Sequence, residues 1–151
     1  MPLTAHLQAA EDIEHVRPGL LQSPFYSRIS ELNINQQWIE WNGYGSAVYY
    51  ADAHLEYFAT RNTCAVFDVS PMRKYRFKGA DVEAMLDRMV TRDVTAQALH
   101  TVAYNVWCTD AGRVVDDGTL FRLAHDEFMV CCADPCFDWF QLSAVGFEQV
   151  E

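Results

Sequence analysis

No run of about 20 apolar residues, the length that spans a bilayer as a helix, occurs in the chain. Its opening "MPLTAHLQAAEDIEHVR" also lacks the basic start and apolar middle of a secretory leader. Both absences point to a cytoplasmic protein with no membrane partner. Basic residues are scarce: 11 Lys and Arg against 21 Asp and Glu give a net charge of −10. Nucleic acid is thereby an unsuitable partner, because neutralising phosphates needs a basic face, and any anionic ligand requires a local cluster of cations. CxxC pairs are missing, and no histidine stands at zinc-ligand spacing from Cys64, Cys108, Cys131, Cys132 or Cys136. Buried free thiols, and no metal, are the expectation. Low-complexity stretches are absent as well. With half of its 151 residues apolar and 13% aromatic, the chain can bury a core of ordinary single-domain size.

The polar, aperiodic residues 1–22, closed by Pro18 and Gly19, read as an arm ahead of a domain over 23–151. "WIEWNGYGSAVYY" (38–50) combines aromatic residues with two glycines, as in a turn between short strands, a segment lining a cavity, or an aromatic core. Asp52 is placed to cap a helix with Leu55, Phe58 and Ala59 on one face, ending near Asn62. "CAVFDVS" reads as a buried strand, and "KYRFK" as an alternating one that Gly79 ends. Val82, Met85, Leu86, Met89 and Val90 recur at the helical period and predict a core helix over 81–91. Strands follow over 103–108 and 113–123 around the turn "TDAG", and "HDE" leads into a third, "FMVCCA". Asp134 and Pro135 read as the cap and first turn of a short helix bearing Phe137, Phe140 and Gln141 on one side. The predicted class is α+β, built of mostly antiparallel hairpins with packed helices. "VGFEQVE" starts a strand that nothing follows, so a second protein chain is expected to complete the architecture.

Within the second hairpin strand, "VVDDGTLFRL" sets Asp116 beside Asp117. Neighbouring strand residues point to opposite faces, so one acid faces a pocket while the other caps a turn, meets solvent or pairs with a base. An Asx turn or bulge at "DDG", freed by Gly118, is the competing reading.

Three blocks carry a family resemblance: "AVFDVSPMRKYRFKGADVEAMLDRMVTRDV" (65–94), "YNVWCTDAGRVVDDGTLFRL" (104–123) and "DEFMVCCAD" (126–134). In sequence and spacing they resemble the N-terminal, folate-binding part of the aminomethyltransferase family, which comprises the glycine cleavage T-protein and its demethylating relatives. The resemblance implies an incomplete aminomethyltransferase-like folate-binding domain and tetrahydrofolate as cofactor. It matches Asp117 to the family's pocket aspartate, the catalytic candidate. Tyr104 matches a tyrosine beside the folate, and Thr119 and Phe121 match pocket-facing strand positions. Where that family has "DVSHMG", this chain has "DVSPMR", with Pro71 and Arg73 in place of histidine and glycine, which points away from glycine cleavage; Ala133 in place of an asparagine, and "VVDDGTLFRL" with "VTRDV", resemble the demethylase branches more closely. The implied function is that of a small subunit of a split tetrahydrofolate-dependent methyltransferase or demethylase. Its one-carbon unit would come from an amine, sulfonium or methoxy donor. A non-catalytic folate-binding or scaffold subunit is the alternative. Arg73, Arg76 and Arg113 are candidate contacts for an anionic folate tail.

Overall fold

The computed structural model describes residues 19–151; most of the expected N-terminal arm lies outside the described residues. The chain divides into two compact units, one reaching Pro71 and one running from Met72 to Glu151.

In the first unit, helix α1 (Tyr26–Leu32) precedes a two-stranded hairpin of β1 (Trp38–Trp41) and β2 (Tyr44–Ala47). Asn42 and Gly43 connect the strands with φ of 50° and 84°. A two-residue turn with both central φ values positive matches the right-handed twist of its strands, and Asn-Gly adopts it at little cost. Leu21, within the stretch read as an arm, forms a parallel bridge to Tyr44. Helix α2 (Ala53–Asn62) begins where expected, with the Asp52 carboxylate accepting from Leu55 N at 2.9 Å.

"CAVFDVS" is not a buried strand. Residues 64–69 carry no ladder, Val66 is 93% exposed, and Cys64 is an exposed thiol. An apolar run becomes a strand only where a neighbour supplies backbone partners. Here the fixed point is Asp68, which accepts from the Ser23 hydroxyl and from Ser70 N.

The second unit is an antiparallel sheet in the order β3-β6-β5-β4, built from β3 (Arg73–Lys78), β4 (Val102–Cys108), β5 (Val114–Ala124) and β6 (Glu127–Cys132). Helices α3 (Val82–Met89) and α4 (Phe137–Ser143) supply the rest of its core. The helical stripe Val82, Met85, Leu86 and Met89 is buried as its period demands. It packs with Trp107, Leu120, Phe128 and Phe140. Each such side chain contributes about 1.5–3 kcal/mol by leaving water. Helix α3 stops at Val90, whose backbone turns extended and bridges Trp107.

Helix α4 starts later than Asp134 and Pro135 predict: its N-cap is Cys136, without a side-chain cap. A tertiary contact takes the cap's place, since Cys136 N donates to the Tyr75 hydroxyl at 3.0 Å. At the far end of α4, Arg88 donates to the carbonyls of Ser143 and Val145. The closing residues "VGFEQVE" form no named strand, but Glu151 and Lys78 exchange two backbone hydrogen bonds of 2.8 and 2.9 Å.

"DDG" is neither a turn nor a bulge. Asp116, Asp117 and Gly118 pair in unbroken register with Trp107, Val106 and Asn105. Gly118 is needed for close approach, because a Cβ there would collide with the carbonyl of Cys131 on β6. The register of β5 shifts just before Asp116, where Val115 is the extra residue between the Trp107–Asp116 and Cys108–Val114 pairs, and again near Arg122.

Candidate active site

Register alone decides which side chains share a face, because directly opposed residues in a ladder point the same way. Tyr104 opposes Thr119, which opposes Cys131, which opposes Lys74. The next row is Val102, Phe121, Met129 and Arg76, and on the other side Val106 opposes Asp117. Tyr104, Asp117, Thr119 and Phe121 therefore gather on one face of the sheet. This is the face opposite the buried row of Leu120, Phe128 and Val130.

Its geometry is specific at one point. The Tyr104 hydroxyl donates to Asp117 Oδ2, joining adjacent strands across a diagonal. Asp117 also donates its backbone N–H to Asp116 Oδ1 at 2.8 Å. The bond to the Asp117 carboxylate raises the Tyr104 pKa above the usual phenol value, with the charges of Asp117 and Asp116 acting the same way. Tyr104 thus remains a phenol and a donor through the neutral range. Both residues are solvent-exposed, Tyr104 by 57%. The carboxylate is held by its neighbour and still open to a ligand. Thr119 and Phe121 are half-buried beside it.

The cations proposed from sequence separate. Arg76 lies on the Asp117 face, bonded to Glu127 through Nε at 2.7 Å. Lys74, which the sequence reading did not single out, lies on that face too. Arg73 opposes Cys132 and has the other orientation, and Arg113 sits at the β4–β5 turn. The aromatics of 38–50 belong to the first unit, where Trp41, Tyr49 and Tyr50 line a cleft of about 510 Å³ with Val66 and Phe67. They are half-buried, so they line a cavity rather than form a core.

Asp116 turns to the core side, as strand alternation requires, and meets Cys136 Sγ at 3.3 Å. Sequence reasoning missed this grouping of Asp116 with Cys132 and Cys136. The only signal was the pairing of an inward acid with two cysteines four apart, and the register that joins them is tertiary.

The GCVT N-terminal domain family matches residues 26–149. The chain belongs to this family. An aminomethyltransferase of Desulfitobacterium hafniense is 32% identical over 133 residues, covering 85% of this chain and 36% of that protein. A trimethylamine-oxide aldolase of Ruegeria pomeroyi is 35% identical over 109 residues, covering 71% of this chain and 14% of that one. The crystal structure of the glycine cleavage system aminomethyltransferase T from Bartonella henselae superposes with a TM-score of 0.71 at 21% identity, covering 87% of this chain and 37% of that chain. That likeness carries the fold, which is the α+β arrangement expected. The chain spans about a third of the length of the aminomethyltransferases it matches. Among the described residues, no helix is long and apolar enough to cross a membrane.

Proposed function

We propose that residues 23–151 form the N-terminal part of a folate-binding domain that acts, with a second protein chain supplying the rest of the fold, in tetrahydrofolate-dependent one-carbon transfer. The observation carrying this reading is the shared face of Tyr104, Asp117, Thr119 and Phe121, with its carboxylate fixed by the Tyr104 hydroxyl and open to solvent.

The residues suit the cofactor. A flat heterocycle fits exposed Tyr104 and half-buried Phe121, its polar edge finds Asp117 and Thr119, and its anionic tail finds Lys74 and Arg76 on the same face. When bound, tetrahydrofolate supplies the nitrogen that accepts the one-carbon unit. The protein needs no nucleophile for such a displacement, and its work is positioning acceptor and donor carbon about 3–3.5 Å apart. Asp117 orients a cationic donor and balances its charge, while Tyr104 fixes the carboxylate so that no reorganisation is needed. The neighbouring phenol ring also presents a π face to a methylated cation.

A methylated amine, sulfonium or methoxy compound is the donor class. Likeness to a trimethylamine-oxide aldolase supports a methylated nitrogen compound; Pro71 and Arg73 within "DVSPMR" speak against a glycine-cleavage role, and Ala133, "VVDDGTLFRL" and "VTRDV" support a demethylase. The test is to supply carbon-labelled dimethylglycine, dimethylsulfoniopropionate and vanillate to the chain co-isolated with its partner, together with tetrahydrofolate. Label should enter the folate pool from one of the three. Its absence from folate with every donor, while folate still binds, would leave a non-catalytic folate-binding or scaffold subunit.

A further inference from the structure

We propose that Asp116, Cys132 and Cys136 form a binding site for one thiophilic divalent cation, Zn²⁺ in the cell, on the core side of the sheet. This inference stands independently of the folate reading.

Three elements bring the ligands together. Asp116 projects inward from β5, Cys132 ends β6, and Cys136 opens α4, where the Tyr75 hydroxyl fixes its backbone. Their ligand atoms all lie within 4.8 Å of one another, with Cys136 Sγ and Asp116 Oδ2 at 3.3 Å. Tetrahedral zinc, with Zn–S near 2.3 Å and Zn–O near 2.0 Å, spaces such atoms by about 3.5–3.8 Å, so small side-chain adjustments suffice. Two sulfurs and one carboxylate oxygen form a donor set that selects zinc and its soft congeners over magnesium or calcium. Cys132 Sγ donates to the carbonyl oxygen of Asp134 at 3.3 Å, a bond the thiol gives up on losing its proton, and water would fill the fourth tetrahedral position.

Burial first, with the Asp116 charge acting in the same direction, pushes the Cys132 thiol up to about 12 and the Cys136 thiol up to about 11, so both are protonated in the metal-free chain and a bound cation must displace two protons.

A second observation points the same way. The indole Nε1 of Trp107, a residue only 1% exposed, is buried without a hydrogen-bond partner, an arrangement that costs about 1–3 kcal/mol in a core. Trp107 and Cys136 belong to the same buried cluster. A metal-bound thiolate at Cys136 is a stronger acceptor than a thiol and gives this N–H a use. Such outer hydrogen bonds are characteristic of metal–thiolate centres.

The chemistry balances without oxidant or reductant. Zn²⁺ enters, the two thiols lose two protons to solvent, and two Zn–S bonds and one Zn–O bond form. The centre would tie β5, β6 and α4 together directly behind the strand that displays Asp117.

The test is titration of the full chain with Co²⁺, a spectroscopic stand-in for zinc, under reducing conditions. The proposal predicts one cobalt per chain with thiolate-to-cobalt charge-transfer absorption, its displacement by Zn²⁺, and release of two protons. Cys136→Ser and Cys132→Ser should each abolish the charge-transfer band or weaken binding about a hundredfold, and Asp116→Asn about tenfold or more. Cys64→Ser, at an exposed site outside the cluster, should change nothing. Proton release and charge-transfer absorption are read on the unmodified protein, so a variant that fails to fold does not hide the answer. A wild-type chain that shows no such band, or a Cys136→Ser chain whose band keeps its full intensity and affinity, overturns the proposal.

Discussion

Under the proposed function, Asp117→Asn should lower one-carbon transfer by the assembled complex about 10²- to 10³-fold, the range seen when one preorganised electrostatic group is removed from an active site. The substitution keeps size and hydrogen-bonding capacity: an amide oxygen still accepts from the Tyr104 hydroxyl, so the diagonal tie between β4 and β5 persists. What disappears is the negative charge that the proposed function sets against a cationic donor. Because Asp117 is exposed and lies outside the core, stability and assembly should be unchanged. The check is initial rate with the labelled donor, read beside the assembled mass. A full rate in an intact complex would assign the chain a scaffolding role. Tyr104→Phe is a useful companion, because it frees the carboxylate without removing its charge and should reduce the rate less than Asp117→Asn does.

The largest stability effect is expected at Glu83. Arg122 points to the core side of β5, is 7% exposed, and pairs with the Glu83 carboxylate while donating to Gln97 O at 3.0 Å. Its guanidinium also lies over the Phe128 ring at 5.1 Å. A guanidinium cannot shed its proton to escape burial, so removing its counter-charge leaves an uncompensated cation in the core. Glu83→Ala should therefore destabilise the protein by about 3 kcal/mol, at the low end for a broken buried pair because the Glu83 side chain is 34% exposed and already partly hydrated. Adding Arg122→Met to that variant should restore part of the loss, since the pair is then replaced by apolar surface rather than broken. The denaturant midpoints of the single and double variants measure this directly. A double variant less stable than Glu83→Ala would show that the arginine's neutral partners, and not its charge pairing, dominate.

Much of the site was legible because strand alternation is a strict rule. Once 113–123 was read as a strand, Asp117, Thr119 and Phe121 had to share one face, and Asp116 had to leave it. The core helix was legible for the same reason, a period of 3.6 carried by five residues. Three features were not legible, and each depends on a partner distant in sequence. "CAVFDVS" has a strand's composition but no neighbour to pair with. The start of α4 is set by the Tyr75 hydroxyl, 61 positions from Cys136, rather than by the capping chemistry of Asp134 and Pro135. The grouping of Asp116 with Cys132 and Cys136 depends on the β5–β6 register, which sets Gly118 opposite Cys132, and on the seating of Cys136 at the head of α4. Local pattern thus assigns faces and periods, while the choice among competing local options is made by contacts across the fold.

The central claim is that this chain works as part of a folate-binding assembly, and native mass measurement of the chain isolated with its neighbours from its source cells tests it most directly. The account predicts a heteromeric mass that includes a folate, with the folate lost on exchanging Asp117 and Tyr104 for alanine together. A lone chain of 17.3 kDa carrying no ligand would contradict it.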